Sequence, residues 1–404
     1  MSERTAIVVG GGVVGLSTAY HLARRDYGRV LLLEKGRPGD GASSRAAGII
    51  TGLMWSETGV EARKASLGRF RELSLELDGY RFRDGGCLNL FDAVSWPERE
   101  KLLPLYDRLK VEYEVLNLAQ MKRRWPELSF SGEIRGLYDP LGGYSEADEY
   151  IPALARKCLQ LGVEIRQGCQ VTGFLEDAGR VAGVETAAGK VEGDAVVCAT
   201  HVWTRKVMER LGGWQLPVKA FVHQRYLTEP LAAEMKIPAV NANPYGCYFR
   251  PATGGRLLVG VESVEREEFR PPSAGFDMLE LRAPGELRDR AGRDLLRLVP
   301  ASSGAPLTRE EKVGLLAFSL DGEPILGRID ALPGLFVGTA FHSGGFAYNP
   351  VAGMLLAELV ADGVTSIDIS AFSPDRFEAG EVADFTDSSV TQGEYTGIGG
   401  RRRH

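Results

Sequence analysis

Three glycines near the start of the chain stand at the spacing used for phosphate chemistry. Gly10, Gly12 and Gly15 form a G-x-G-x-x-G pattern between a short aliphatic run and a helical stretch. Gly10 permits a tight turn, Gly12 lets the backbone approach a pyrophosphate, and Gly15 lets a helix pack close to a strand. The helix that starts at Val13 and Val14 presents unpaired N–H groups and the positive end of its dipole. Glu34 follows about twenty residues on, where a carboxylate accepts hydrogen bonds from a ribose and repels a 2′-phosphate. Together these residues predict a dinucleotide site.

The elements that must hold them are legible. Ala6 to Val9 reads as a buried strand, Val13 to Arg25 as a helix and Arg29 to Leu33 as a second strand. After Glu34 and Lys35 comes a loop rich in small residues, with Ser43, Ser44, Arg45, Ala46 and Gly48. Such a loop lets a bulky planar ligand pass close to the backbone.

The 404 residues suffice for two domains, and the formal charge of −6 argues against nucleic acid as a main partner. The longest apolar runs are too short to span a membrane, and no leader pattern precedes the first strand, so a cytoplasmic protein is expected. The five cysteines (87, 158, 169, 198 and 247) lie scattered, without C-x-x-C or histidine partners. No metal site or disulfide framework is expected, and Cys158 and Cys198 read as core residues.

Further along, Gly59 to Leu77, Pro97 to Lys110, Leu118 to Trp125, Glu146 to Leu161, Val202 to Leu211 and Pro284 to Val299 have helical spacing. Cys87 to Phe91, Gly132 to Tyr138, Pro217 to Pro230, Tyr245 to Arg250, Arg256 to Val261 and Leu307 to Phe318 read as strands. The run Ala195 to Ala199 reads as a central strand buried on both faces. Asn349 and Pro350 look like the N-cap and first residue of a helix closed by Gly363. The pattern predicts an α/β fold: a Rossmann-like dinucleotide-binding domain with a second, mostly antiparallel β-sheet domain. The first takes residues 1–84, 145–215 and 319–377, and the second takes 85–144 and 216–318. Residues 378–404 are expected to be a polar tail, with Arg401 to Arg403 solvated.

Four separated pieces resemble the D-amino acid oxidase-like flavoproteins, the group that contains glycine oxidase, sarcosine oxidase and dimethylglycine dehydrogenase. They are Gly10 to Gly15 with Glu34 and Lys35; Gly41 to Gly48; Val196 to Trp203; and Asp321 to Gly327 followed by His342 to Phe346. His223 to Pro230 and Tyr248 to Glu262 are similar to the dimethylglycine and sarcosine dehydrogenase branch. The resemblance implies FAD in an extended form under a substrate domain. It places Val14, Ala46, Val171, Ala199, Thr200, Trp203, Gly344, Gly345 and Phe346 with the residues above as FAD contacts. Arg45 stands where some relatives carry a covalently linked histidine, and no cysteine lies near Gly314 to Phe318, so the FAD is expected to be non-covalent. The arginine that clamps the substrate in glycine oxidase is absent from Gly314 to Ala317. His201 replaces a family glycine.

The implied reaction is oxidation of a small amino acid or N-substituted glycine, a carboxylated amine. A hydride passes to the flavin N5, and the resulting imine hydrolyses. Oxygen is the expected acceptor, with hydrogen peroxide formed; the alternative is a dehydrogenase that passes electrons elsewhere. An NAD-dependent dehydrogenase and a non-catalytic FAD-binding subunit are rival readings. The amine must be unprotonated to release hydride, which makes His223 and Tyr248 the candidates to take its proton or position it. Arg250, Arg45 and His342 are candidates for the substrate carboxylate and developing negative charge.

Overall fold

The computed structural model describes residues 4–209, 215–262, 265–273 and 275–398. Its first sheet runs in the order Ile325–Arg328, Leu335–Thr339, Ala195–Cys198, Thr5–Val9, Arg29–Leu33, Glu164–Arg166. All neighbours are parallel except the first pair. Strand alternation sends Ala6 and Val8 into one core, with helices Val13–Arg24, Glu57–Glu76, Ala147–Gln160 and Gly345–Asp362. Ile7 and Val9 point into another core, under the three-stranded sheet built from Val171–Asp177, Arg180–Thr186 and Gly189–Glu192. Burial on both faces explains why these strands are continuously apolar.

The second sheet has nine strands, ordered Phe341–His342, Leu307–Ser319, Val218–Thr228, Arg256–Val261, Cys247–Ala252, Ala239–Ala242, Cys87–Phe91, Arg135–Asp139, Glu114–Asn117. Every pairing is antiparallel except that of Ala239–Ala242 with Cys87–Phe91. The expected α/β class with a mostly antiparallel second sheet is what the chain adopts. No helix among the described residues is long and apolar enough to cross a membrane.

Several elements differ from their sequence-based bounds, each for a local reason. The helix expected from Pro97 to Lys110 is two, Trp96–Glu100 and Leu103–Arg108, because Pro104 lacks an N–H and restricts the residue before it. The strand expected from Tyr245 starts at Cys247, since Asn243–Tyr245 forms a 3₁₀ turn ending at Gly246 with φ +66°. Asn349 is not an N-cap: the helix already begins at Gly345, with Gly344 as its cap. Pro350 cannot donate to the Phe346 carbonyl, and the Asn349 side-chain amide donates to it instead at 2.6 Å. Tyr150 Oη donates to Asn349 Oδ1 at 2.7 Å and holds the amide in that place.

The polar tail from Glu378 contains helices and two buried aromatic side chains. Ala379–Asp387 and Gln392–Ile398 are helices, and Phe385 and Tyr395 are buried against Phe221 and Phe318. Tyr395 Oη donates to the Ser319 carbonyl at 2.5 Å. Arg401 to Arg403, and Leu211 in the helix expected from Val202, lie outside the described residues.

Candidate active site

The glycine turn crosses the Val13–Arg24 helix at the closest approach the backbone allows. A Cβ on Gly15 would stand 1.9 Å from the Gly10 carbonyl oxygen, so only glycine fits. Gly39 N–H donates to the Gly11 carbonyl at 2.9 Å and ties the small-residue loop to the turn. Ser43 Oγ from that loop accepts the Val13 N–H at 3.0 Å. Glu34 is fixed by two backbone donors: Gly11 N–H to Oε2 at 2.6 Å and Gly36 N–H to Oε1 at 2.7 Å. Lys35 donates to the Phe276 carbonyl at 2.6 Å and lies 3.8 Å over the Trp203 ring, and burial lowers its pKa. Gly48, at φ +71°, crosses Ser145, whose carbonyl oxygen a Cβ would meet at 2.1 Å. This crossing explains the glycine that closes the loop.

A cavity of about 430 Å³ runs from this cradle to the face of the nine-stranded sheet. Gly10, Gly12, Val14, Glu34, Lys35, Ser43, Arg45, Ala46 and Gly48 line it, as do Val171, Ala199, Thr200 and Trp203. At the far end stand His223, Tyr248, His342, Gly344, Gly345 and Phe346. The Gly345–Asp362 helix opens on the cavity with no side chain capping its N-terminus.

Strand register gathers the polar groups at the sheet end. Arg225, Gly260, Tyr248, Asn241 and Asn89 sit opposite one another on five adjacent strands, so their side chains share a face. His223 is two residues from Arg225 and Glu262 two from Gly260, on the same face. Tyr248 lies flat across Gly260, where a Cβ would come within 2.1 Å of its ring and hydroxyl. His223 Nε2 is 2.9 Å from Tyr248 Oη, with the two rings stacked at 21°. Arg266 Nη1 approaches His223 Nδ1 at 3.4 Å, and its other terminal nitrogen donates to Gln224. A guanidinium has donors only, so Nδ1 accepts and the Nε2 proton lies on the Tyr248 oxygen. Burial raises the Tyr248 phenol, and the Glu262 carboxylate beside it adds to that. Burial likewise raises the Glu262 carboxyl, against the pull of Arg266 and Arg290.

The sequence profile of the DAO family, described as FAD dependent oxidoreductase, matches residues 5–359. The chain belongs to this FAD-dependent family. A sarcosine oxidase subunit beta from Arthrobacter sp. is 29% identical over 94% of the chain and 92% of its own length. A 4-methylaminobutanoate oxidase (formaldehyde-forming) from Paenarthrobacter nicotinovorans is 30% identical over 92% of the chain, which spans only 45% of that enzyme. Among solved structures, an L-proline dehydrogenase from P. horikoshii superposes with a TM-score of 0.85 at 26% identity, covering 94% of this chain and 98% of that one. Glycine oxidase from Geobacillus kaustophilus shares the fold, with a TM-score of 0.80 at 24% identity and coverage of 93% and 100%.

The residues of this flavoprotein fit the group its family uses. The glycine turn and the start of the helix line the cavity with Gly10, Gly12 and the small side chain of Ser43, and Trp203 Nε1 is buried without a partner among the described residues.

Two expectations for the substrate carboxylate need correction. Arg250 does not reach the cavity lining. It is 1% exposed and ion-paired with Glu146, Nη1 to Oε1 at 2.8 Å and Nη2 to Oε2 at 2.9 Å. Its Nε donates to the Ala47 carbonyl at 2.5 Å. It is a strut between the sheet and the small-residue loop, because its counter-ion comes from a distant part of the chain. Arg45 lines the cavity, but its guanidinium is committed to backbone carbonyls: Val313 and Gly41, each at 2.7 Å, and Asp40. Ser44 also lies off the cavity, and its carbonyl accepts from Arg225 Nη2 at 3.1 Å. His342 packs edge-on against Phe318 at 4.6 Å with φ +57°.

His201, standing in for a family glycine, has φ +52°, a left-handed conformation that glycine adopts without strain. Arg63 and Arg99, both buried, line the cavity and were not singled out by the sequence, nor was Glu262. Arg63 and Arg99 sit on helices of mixed charge, where an inward-pointing arginine looks like any surface one. Glu262 stood just past the stretch read as the Arg256 to Val261 strand, with no motif of its own to mark it.

Proposed function

We propose that the protein oxidises a small carboxylated amine, a small amino acid or an N-substituted glycine, with oxygen as electron acceptor. The observation that carries this reading is the His223–Tyr248 pair on the wall of the same cavity that the dinucleotide cradle opens into. In this reading Glu34 takes the adenosine ribose, the turn at Gly10, Gly12 and Gly15 takes the pyrophosphate, and the loop from Ser43 to Gly48 lies along the flavin. The bound flavin supplies a hydride acceptor at N5. The uncapped helix N-terminus at Gly344–Phe346 sets N–H dipoles toward negative charge at that end of the cavity.

His223 and Tyr248 act on the amine. With Nδ1 turned to Arg266 and the Nε2 proton on the Tyr248 oxygen, the tyrosine proton is left to point elsewhere. A hydroxyl donor facing the amine bonds a neutral nitrogen through its lone pair and repels an ammonium. The Arg266 charge adds to that discrimination. A free α-amine has a pKa of roughly 8 and is mostly protonated at neutral pH, so selecting the neutral form matters. The relatives named for sarcosine, 4-methylaminobutanoate and glycine oxidation support a substrate that carries both an amine and a carboxylate.

The test is a panel of carboxylated primary and N-methyl amines mixed with purified protein in air. Oxygen uptake with matching peroxide supports the reading. Substrate oxidation seen only with an added dye would make the protein a dehydrogenase. No oxidation of any carboxylated amine would remove the reading.

A further inference from the structure

Among the described residues Arg99 is a buried cation without a counter-ion. It lies on the short Trp96–Glu100 helix, is 2% exposed and lines the cavity. Nη1 donates to the carbonyls of Leu53 at 3.1 Å and Met54 at 3.3 Å, and to Tyr106 Oη at 2.6 Å. All three acceptors are neutral. Two other buried cations carry carboxylates, Lys219 with Glu268 at 2.9 Å and Arg250 with Glu146 at 2.8 Å, whereas buried Arg63 and Arg225 bond backbone carbonyls. No described carboxylate pairs with Arg99, although an uncompensated buried charge is costly.

The free part of Arg99 has a specific shape. Among the described residues neither Nε nor Nη2 has a hydrogen-bond partner, and Nε is fully buried. These two nitrogens form the side-on edge of the guanidinium, which matches the two oxygens of a carboxylate. The neighbouring arginines have lost that edge. Nε of Arg63 donates to the Thr51 carbonyl, Nε of Arg45 to Val313, Nε of Arg225 to Arg45 and Nε of Arg250 to Ala47. The face of the Arg99 fork is covered by Trp55, 3.7 Å from the ring centroid, with Phe91 at 5.1 Å. Stacking holds the plane and leaves the hydrogen-bonding capacity of the edge unused. Phe91 is on the strand that carries Asn89, which Asn241 links at 2.8 Å into the row that starts at Tyr248.

We infer that Arg99 is the anchor for the substrate carboxylate, gripping it side-on through Nε and Nη2 while His223 and Tyr248 hold the amine. The assignment rests on the proposed reaction for where the substrate lies. It replaces Arg250 and Arg45 in that role.

The test uses the FAD-loaded protein and acids that cannot be oxidised at nitrogen: acetate, propanoate and butanoate, each beside its amide. Dissociation constants come from calorimetry, and each ligand's shift of the melting temperature gives a second reading. The native protein should bind at least one acid at least tenfold more tightly than its amide. Arg99→Gln should abolish that difference. Arg99→Lys, which keeps the charge without the side-on edge, should keep part of it. If Arg99→Gln does not fold, the native acid–amide comparison and the Lys variant decide. Equal binding of acid and amide by the native protein, or an undiminished preference in both variants, overturns the assignment. Acids held through Arg99 with no amine oxidised would contradict the proposed reaction and leave the anchor standing. Amines oxidised with acid and amide substrates equally impaired in Arg99→Gln would do the reverse.

Discussion

Tyr248 and Gly260 face each other across two antiparallel strands, and the missing side chain of one is the seat of the other's ring. The His223–Tyr248 hydrogen bond exists because the phenol can lie flat there. Gly260→Ala should push the ring off its place and break that bond. Overpacking of this kind costs roughly 1–3 kcal/mol of stability, and substrate-dependent flavin reduction should fall by at least about tenfold. FAD content should stay as it is, since Gly260 is remote from the cradle. Stopped-flow reduction with unchanged rates would show that the ring position does not matter.

Arg266 sets the tautomer of His223. Removing it as Arg266→Met takes away the cationic donor that disfavours a proton on Nδ1, and the imidazole can then take one up. The pH profile of flavin reduction should gain a second titration between pH 5 and 8, where histidine ionises, on top of the one due to the substrate amine. Arg266→Lys, still only a donor, should keep the native profile. A single titration in Arg266→Met would mean that the contact with His223 has no part in the reaction.

Glu34 holds its place through the Gly11 and Gly36 N–H groups and should grip the ribose of FAD. Glu34→Ala should purify with much less flavin. Loss of a hydrogen bond to a charged group costs about 1.5–3 kcal/mol, or tens of times in affinity. Glu3→Ala serves as the control. Acid precipitation of the native protein should release all its yellow colour, because Arg45 is held by Val313, Gly41 and Asp40 where a covalent link would stand. Equal flavin in both variants, or colour that stays with the precipitate, contradicts these assignments.

Much of this was readable before any coordinates. G-x-G-x-x-G, the strand before it and the acid after it are local in sequence, so their geometry follows from spacing. The alternation of the Val218–Thr228 strand set the face of His223, since a period of two admits no other. Arg250 was misread for the opposite reason. An arginine on an inward face looks like a ligand clamp until its counter-ion is known, and Glu146 lies far along the chain. Asn349–Pro350 read as a helix start because its interior use depends on Asn349 replacing the bond that Pro350 cannot make. The tail read only as polar because Phe385 and Tyr395 are few among polar residues.

Two half-buried histidines, each with one buried ring nitrogen, link stability to pH. Burial lowers His21 to about 3, helped by Arg69, and lowers His201 to about 4. In the unfolded chain both titrate near 6.5. Between those values the unfolded state holds protons that the folded state refuses, so stability rises with pH and is complete above the unfolded value. It should fall as the pH drops from 7 to 5, a range above most carboxylate titration. The melting temperature over that range should decline in the native protein and decline less in His201→Gln. Equal slopes would remove His201 as a source of acid sensitivity.

The central claim is that His223 and Tyr248 serve oxidation of an amine held against FAD. The most direct measurement is anaerobic reduction of the flavin by the best carboxylated amine, followed at its visible absorbance in the native protein and in His223→Ala. The native protein should bleach fully in a single exponential phase. His223→Ala should retain its FAD and bleach at least about tenfold more slowly. A native protein whose colour persists under every carboxylated amine, or a His223→Ala protein that bleaches as fast as the native one, would contradict the account.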